Sequence, residues 1–374
     1  MALGVVLLAA GLVVPPWVRG LSFVVRAAGL PGSVAGFVGG WGTGPFQTSE
    51  LQIPTRHGDV RGRLYLPEQR SGRLVVLTSG VHSDGIDEPR LRKLAGDLAA
   101  GGHPVLTPEP PDLLHYEISP RIPDVITDAT LWVAERADLV PDGKVDLFGI
   151  SFSGGMSVIA AGRPELYPHV AAVLSFGGHG DLSRVLTFLC TGVQADGVRR
   201  APHDYGVAVL LLNLLERFVP TEQLEPLRVG ILTFLRASNL TLSDGKRAEA
   251  TFARARELQT EMAEPAASLM GFVNQRNVAS LGTWLLPLSR GLGETLGMSP
   301  ERAPHPIAPV YLVHGSEDSV IPSIESASLA RSLEPGTDVH LLITPLVTHA
   351  ELDRAGGLRD AWRLVGFWSE LLSE

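Results

Sequence analysis

The run Lys144-Val145-Asp146-Leu147-Phe148-Gly149-Ile150-Ser151-Phe152-Ser153-Gly154-Gly155 constrains the fold of this chain more than any other. Val145, Leu147, Phe148 and Ile150 predict a short buried strand, and Met156 to Ala161 predict a helix. Between them stands a G-x-S-x-small turn with Ser151 at its tip. So abrupt a passage from strand to helix forces the central residue into strained backbone angles, which lift its hydroxyl clear of the sheet edge. It also demands glycine at 149, where a side chain would collide with the departing helix. Such pentapeptides arise by chance in many chains, so the strand before the turn and the helix after it carry the reading. Ser153 competes for the same role, because Gly155 lies two residues after it. Ser151 would then fill the first glycine's place, where a side chain is less tolerable, so Ser151 is the favoured nucleophile.

The rest of the chain supplies a sheet for that turn. Strands are expected at 51–54 and 60–67, joined by a turn at His57-Gly58-Asp59, and at 74–77, 104–107 and 170–176. Helices are expected at 88–100 and 125–137. Alternation stops at Asp181. Up to about His305 only helical stretches stand out: 207–218, 227–235, 247–262 and 266–286, the last stopping at Pro287. Strands return at 309–313 and 339–343, with helices at 323–333 and 358–372. Strands alternating with helices imply a mostly parallel sheet covered on both faces. The organisation expected is an apolar segment and glycine-rich linker (1–45), a first part of the α/β core (46–180), an inserted helical cap (181–305) and a second part of the core (306–374).

The N-terminus stands apart. Met1 to Val18 carries no charged side chain, and Arg19 and Arg26 follow it. No Lys or Arg precedes the apolar run, as a secretory signal requires. The run reaches about 18 residues, the shortest length that spans a bilayer, only by including Pro15, Pro16 and Trp17. Membrane association through residues 1–38 is the expectation, with Arg19 and Arg26 keeping the catalytic domain in the cytoplasm. The alternative is an apolar segment packed on the domain or on a second subunit. A net charge of −9 argues against a nucleic-acid partner. Cys190 is the only cysteine, so neither an intramolecular disulfide nor a cysteine zinc site is available. No metal cluster or phosphate-binding glycine loop stands out, and no cofactor is expected.

A serine hydroxyl needs a base within hydrogen-bond reach, and the base needs a group that holds its tautomer. After the helical block comes Val313-His314-Gly315-Ser316-Glu317-Asp318, which puts Asp318 in a loop at the carboxyl edge of the sheet, where ligands collect. The plain alternative is an aspartate capping the following helix. Glu317 and the more distant Asp181 compete for the acid. Of the late histidines, His349 alone lies past the last strand with a helix still to come, whereas His314 and His340 fall in strands. Attack on an ester carbonyl develops an oxyanion, which two backbone N–H groups can stabilise. One is expected from Phe152 and the other from Val81, in the loop Ser79-Gly80-Val81-His82 where Gly80 lets the backbone pass close. His82 is a candidate substrate-binding residue, and an exposed loop histidine with no catalytic role is an equal reading.

On Gly80-Val81-His82, Gly149-Ile150-Ser151-Phe152-Ser153-Gly154, His314-Gly315-Ser316-Glu317-Asp318 and His349, the chain resembles the α/β-hydrolase superfamily, near its bacterial esterase and dienelactone-hydrolase types. The resemblance covers about 50–180 and 306–374 and leaves out the helical block. It implies the α/β-hydrolase fold and a Ser151–His349–Asp318 triad cleaving a small carboxylic ester, with an apolar group favoured if Leu210, Leu211, Leu212, Leu214, Leu215 and Phe218 face the site. Ser79 stands where many members have His before the oxyanion glycine, and Ser153 where they have the second elbow glycine. Serine at 151 argues against thiol-type dienelactone hydrolases and dehalogenases. An acyltransferase or a peptidase with the same triad, or a non-catalytic scaffold of the same fold, are the alternatives.

Overall fold

The computed structural model describes residues 16–29, 32–241, 243–295, 297–348 and 357–373. In chain order its elements are α1 (16–27), α2 (Ser33–Gly39), β1 (Phe46–Ile53), β2 (Val60–Pro67), β3 (Leu74–Thr78), α3 (Pro89–Ala100), β4 (Val105–Pro108), α4 (Pro111–Leu114), α5 (Arg121–Ala134), β5 (Val145–Ile150), α6 (Phe152–Ala161) and β6 (Val170–Phe176). Six helices follow: α7 (Leu182–Thr191), α8 (Asp204–Leu212), α9 (Thr221–Leu240), α10 (Gly245–Thr260), α11 (Ala266–Asn274) and α12 (Val278–Thr295). The chain ends with β7 (Val310–Gly315), α13 (Ile324–Leu333), β8 (Val339–Thr344) and α14 (Leu358–Leu371). It divides into two compact units: residues through Leu114, Pro120–Gly180 and Ser299 onward form one, and His115–Ser119 with Asp181–Met298 the other.

The first unit is built on one eight-stranded sheet in the order β1-β2-β4-β3-β5-β6-β7-β8. β1 and β2 pair antiparallel, as do β2 and β4, and every pair from β4 through β8 is parallel. A parallel strand buried on both faces reads as an unbroken apolar run. Leu74, Val75, Val76 and Leu77 do so, and all are buried. Side chains two apart share a face. Val75, Leu77, Phe148, Leu174, Tyr311, Val313 and Leu342 join one core cluster with Leu91, Ala95 and Leu98 of α3 and with Leu364, Trp368 and Leu371 of α14. The intervening Val76, Leu147, Val173 and Leu312 are as deeply buried, and α5 and α6 pack on β3, β5 and β6. The strand order turns back on itself between β3 and β5, so their carboxyl ends flank a topological switch point, the usual ligand position in such sheets.

Where the N-terminal stretch is described, it packs on the domain, as the alternative expectation had it. α1 lies on α14: Phe23 packs on Trp368 with ring centroids 4.4 Å apart, and Trp17 stacks on Trp362 at 4.4 Å. Gly20 permits the approach, since a Cβ there would fall 2.8 Å from the backbone nitrogen of Ser369. Ser22 Oγ donates to the carbonyls of Gly39 (3.0 Å) and Trp41 (2.9 Å), and Arg26 donates to Gly39 O and Asp97 O, both at 2.9 Å. The stretch read as a linker thus contains α2 and is tied to α1. Among the described residues no helix is long and apolar enough to cross a membrane. The run from Leu3 to Val14 lies outside them.

The named elements of the second unit are all helices, and an isolated antiparallel bridge pairs Val193 with Arg199 between α7 and α8. α7 was not expected; Asp181 caps it by accepting from Arg184 N at 2.9 Å, and Leu182, Val185, Leu186 and Leu189 are buried along one face. The single helix expected over 266–286 is two. Arg276 takes φ 54° and Asn277 Oδ1 accepts from Ser280 N at 3.0 Å, which starts α12 anew. α12 then runs through Pro287, which removes one donor without ending the helix. Leu210, Leu211, Leu212, Leu214 and Leu215 are buried, so they offer no open apolar face. The segment 115–119 belongs here because the Tyr116 carbonyl accepts from Asn213 Nδ2 (2.8 Å) and its hydroxyl from Asn239 Nδ2 (3.0 Å).

Candidate active site

Ser151 sits between β5 and α6 with φ 55° and ψ −129°, a conformation that costs a non-glycine residue about 1–3 kcal/mol. The surroundings hold it there. Ser151 N–H donates to Phe176 O at 2.7 Å, and Gly154 N–H donates to Ser151 O at 2.8 Å. A Cβ at Gly149 would fall 2.1 Å from the carbonyl oxygen of Ser153, so backbone meets backbone and only glycine fits. At Gly154 a Cβ would lie 2.5 Å from Ser175 Oγ, which lets α6 start hard against the end of β6. Ser151 is partly exposed, whereas Ser153 is fully buried and its hydroxyl donates to Ser79 O at 2.5 Å. The competing serine is spent on a structural bond.

The loop after β3 runs alongside. Thr78 pairs with Gly149 in register, so Gly80 comes level with the tip of the turn. A Cβ on Gly80 would lie 3.1 Å from Ser151 Cβ and 3.7 Å from its Oγ. Val81 follows Gly80, and Phe152 follows Ser151 at the start of α6. The buried Phe152 ring stacks on His179 with centroids 5.0 Å apart and planes 8° apart. His179 escaped the sequence reading, because nothing local marks a histidine after β6 as a stacking partner. His82 is buried, not exposed: its Nδ1 accepts from Asp84 N–H at 3.1 Å, and burial pushes its pKa below the usual histidine value. Its ring braces its own loop.

The corner around Asp318 is built differently. Asp318 is buried just past β7. Its Oδ1 accepts from the backbone N–H groups of Val320 (2.8 Å) and Ile321 (3.0 Å), and its Oδ2 lies 3.3 Å from His314 Nε2. It does not cap α13, whose N-cap is Ser323. His314 is fully buried, with Nε2 2.8 Å from Ile321 O and Nδ1 2.7 Å from Ser326 Oγ. Two acceptors facing Nε2 require that nitrogen to carry a proton. Glu317 is exposed, and Asp181 serves as a helix cap. His340 stacks on Tyr311 at 4.3 Å and reaches Glu370 at 3.3 Å. His349 lies outside the described residues. The chain before it is described: a Cβ on Gly315 would fall 2.3 Å from Val347 O and 2.9 Å from Thr348 O, so the segment leaving β8 crosses against the end of β7.

β5, β6, β7 and β8 are consecutive neighbours, paired Ile150 with Phe176, Phe176 with Val313 and Gly315 with Thr344. Ser151, Asp318 and Thr348 therefore leave the sheet by the same edge. Among the described residues no group of three or more His, Cys, Asp or Glu side chains is placed to hold a metal ion.

No protein-family model matches the chain, and no curated protein matches it. Solved structures do. An acylaminoacyl peptidase in complex with Z-Gly-Gly-Phe-chloromethyl ketone is 14% identical with a TM-score of 0.51, covering 88% of this chain and 41% of that one. The acylaminoacyl peptidase of Pyrococcus horikoshii in an orthorhombic crystal form is also 14% identical at a TM-score of 0.51, over 92% and 44% of the two chains. A thermostable esterase from Pseudomonas putida ECU1011 is 16% identical at 0.48, over 94% and 87%. The chain spans less than half the length of the two peptidases it matches. Identities this low speak to the fold alone.

Proposed function

On the α/β-hydrolase fold that this chain has, we propose a serine hydrolase that cleaves small carboxylic esters, with Ser151 as nucleophile, His349 as base and Asp318 as the acid that orients it. His349 takes the Ser151 proton as Oγ attacks the carbonyl carbon. The negative oxygen is met by the N–H groups of Val81 and Phe152. Collapse expels the alcohol with a proton from His349 and leaves an acyl-serine. Water activated by the same imidazole then releases the acid and restores the hydroxyl. The observation that carries this reading is the strained, partly exposed Ser151 with Gly80 of the β3 loop set against it. Strain of that kind persists where the surroundings over-determine it, and it gathers at reactive positions.

Ser151→Ala should lower p-nitrophenyl acetate turnover by about 10⁴-fold or more while the circular dichroism spectrum is retained. A fluorophosphonate probe should label the wild-type protein at Ser151. Unchanged turnover in the variant, or a folded wild-type protein that neither labels nor turns over ester, overturns the proposal and leaves a scaffold of the same fold.

A further inference from the structure

The hydrogen bond from Ser153 Oγ to Ser79 O joins two segments that are 74 residues apart in sequence, and both residues are buried. Each segment carries one of the two backbone N–H groups assigned above to the oxyanion. We propose that Ser153 is a positioning residue whose hydroxyl locks the β3 loop against the turn at Ser151, so that the Val81 and Phe152 N–H groups face one oxygen. The inference rests on the serine-hydrolase reading and extends it to a residue that touches no substrate.

The geometry of the peptide planes gives the reason. Holding the Ser79 carbonyl fixes the Ser79–Gly80 peptide plane. Only the two torsions of Gly80 then separate that plane from the Val81 N–H. Glycine is the least restricted residue, so a loop that needs it for close approach to Ser151 also loses rigidity at the point where direction matters. Ser153 is one turn residue beyond Phe152, and Gly154 N–H in turn holds Ser151 O at 2.8 Å. One buried hydroxyl therefore couples the loop to the backbone that sets the other N–H. A glycine at 153 would leave the Gly80 contact with Ser151 but no directional bond.

Ser153→Ala and Ser153→Gly both remove the hydroxyl without adding volume to the buried site, so the fold is retained. A fully lost oxyanion donor costs about 10²–10³ in kcat, and a loosened one less. The expected result is a kcat for p-nitrophenyl acetate about 10-fold lower with KM within about two-fold, and an inhibition constant for an aryl trifluoromethyl ketone weakened by the same factor as kcat, since such a ketone reports oxyanion stabilisation. A purely structural hydroxyl would lower the melting temperature and leave both constants of the folded protein unchanged. If both variants keep kcat and ketone affinity within two-fold of wild type, the proposal falls while the serine-hydrolase reading stands. If wild-type Ser151 fails to label with fluorophosphonate, both fall.

Discussion

The two described corners of the site are held in opposite ways. Around Ser151 the structure depends on atoms that are missing: Gly149, Gly80 and Gly154 each leave a gap that a Cβ would fill at 2.1 to 3.1 Å from a neighbour. Around Asp318 it depends on atoms that are present, namely two backbone N–H groups and His314 Nε2 converging on one carboxylate. Ser151 is held in a conformation that side chains resist, so glycines make room for it. A buried carboxyl group needs hydrogen-bond partners, and here they come from whatever element lies nearest. The first device fails abruptly, because backbone cannot move out of the way. The second fails by degrees, because one donor of several can be lost.

That contrast can be broken most directly at Gly149. Gly149→Ala drives a methyl group to 2.1 Å from Ser153 O and 2.5 Å from Ser157 Oγ, so the variant should lose about 3 kcal/mol or more of stability, read by urea unfolding, together with all esterase turnover. A Gly149→Ala protein with wild-type stability would show that the turn is softer than its contacts imply. His314→Gln tests the other corner. It takes one donor from Asp318 and leaves Ser326 and Ile321 without their ring partner, so stability should fall by about 1–3 kcal/mol. Ester turnover should drop about 10-fold, with the backbone bonds to Asp318 still in place. The pH profile of kcat/KM sharpens the point: on the triad proposed above, a misplaced Asp318 should move the limb set by the base, whereas a loss of packing alone should lower the profile without moving it.

A buried histidine outside both corners separates site effects from fold effects. Burial pushes His103 down to about 4, against the donation it makes to the Arg73 carbonyl and with repulsion from Arg19 and Arg73 behind it. Its folded value lies below the unfolded one, so the unfolded chain binds the extra proton between them. The stability it contributes is intact above about pH 6.5 and is lost as pH falls toward 4. Wild-type protein should lose about 2 kcal/mol from this group by pH 5. His103→Gln should flatten that slope in pH-dependent unfolding and leave the pH profile of kcat/KM where it was. A variant that keeps the slope would assign the acid sensitivity elsewhere.

What could be read in advance follows the same division. The turn at Ser151 was legible because its demands fall on residues adjacent in sequence: an apolar strand, a glycine at 149 and a small residue at 153. The parallel strands were legible as unbroken apolar runs, and the position of Asp318 as a loop after one of them. The partners of Asp318 were not, since His314 and Ile321 matter through side-chain and backbone directions that a strand pattern does not carry. Ser153 read as a departure from glycine and a rival nucleophile, because its acceptor lies in a loop 74 residues away. α2 was hidden by glycines that usually mark a linker, and Ser22 and Arg26 of α1 donate to its last carbonyl, a contact that no local pattern announces. The break at Arg276 was hidden because the apolar pattern continues across it, and Pro287 misled because a helix can pass through a proline when its remaining bonds suffice.

The pairing of α1 with α14 bears on how the polypeptide matures on the ribosome. Phe23, Gly20 and Trp17 are translated long before the Trp368, Ser369 and Trp362 they rest on. Until α14 is made, α1 lacks the surface it rests on, so this seam closes only after both β7 and β8 have been translated.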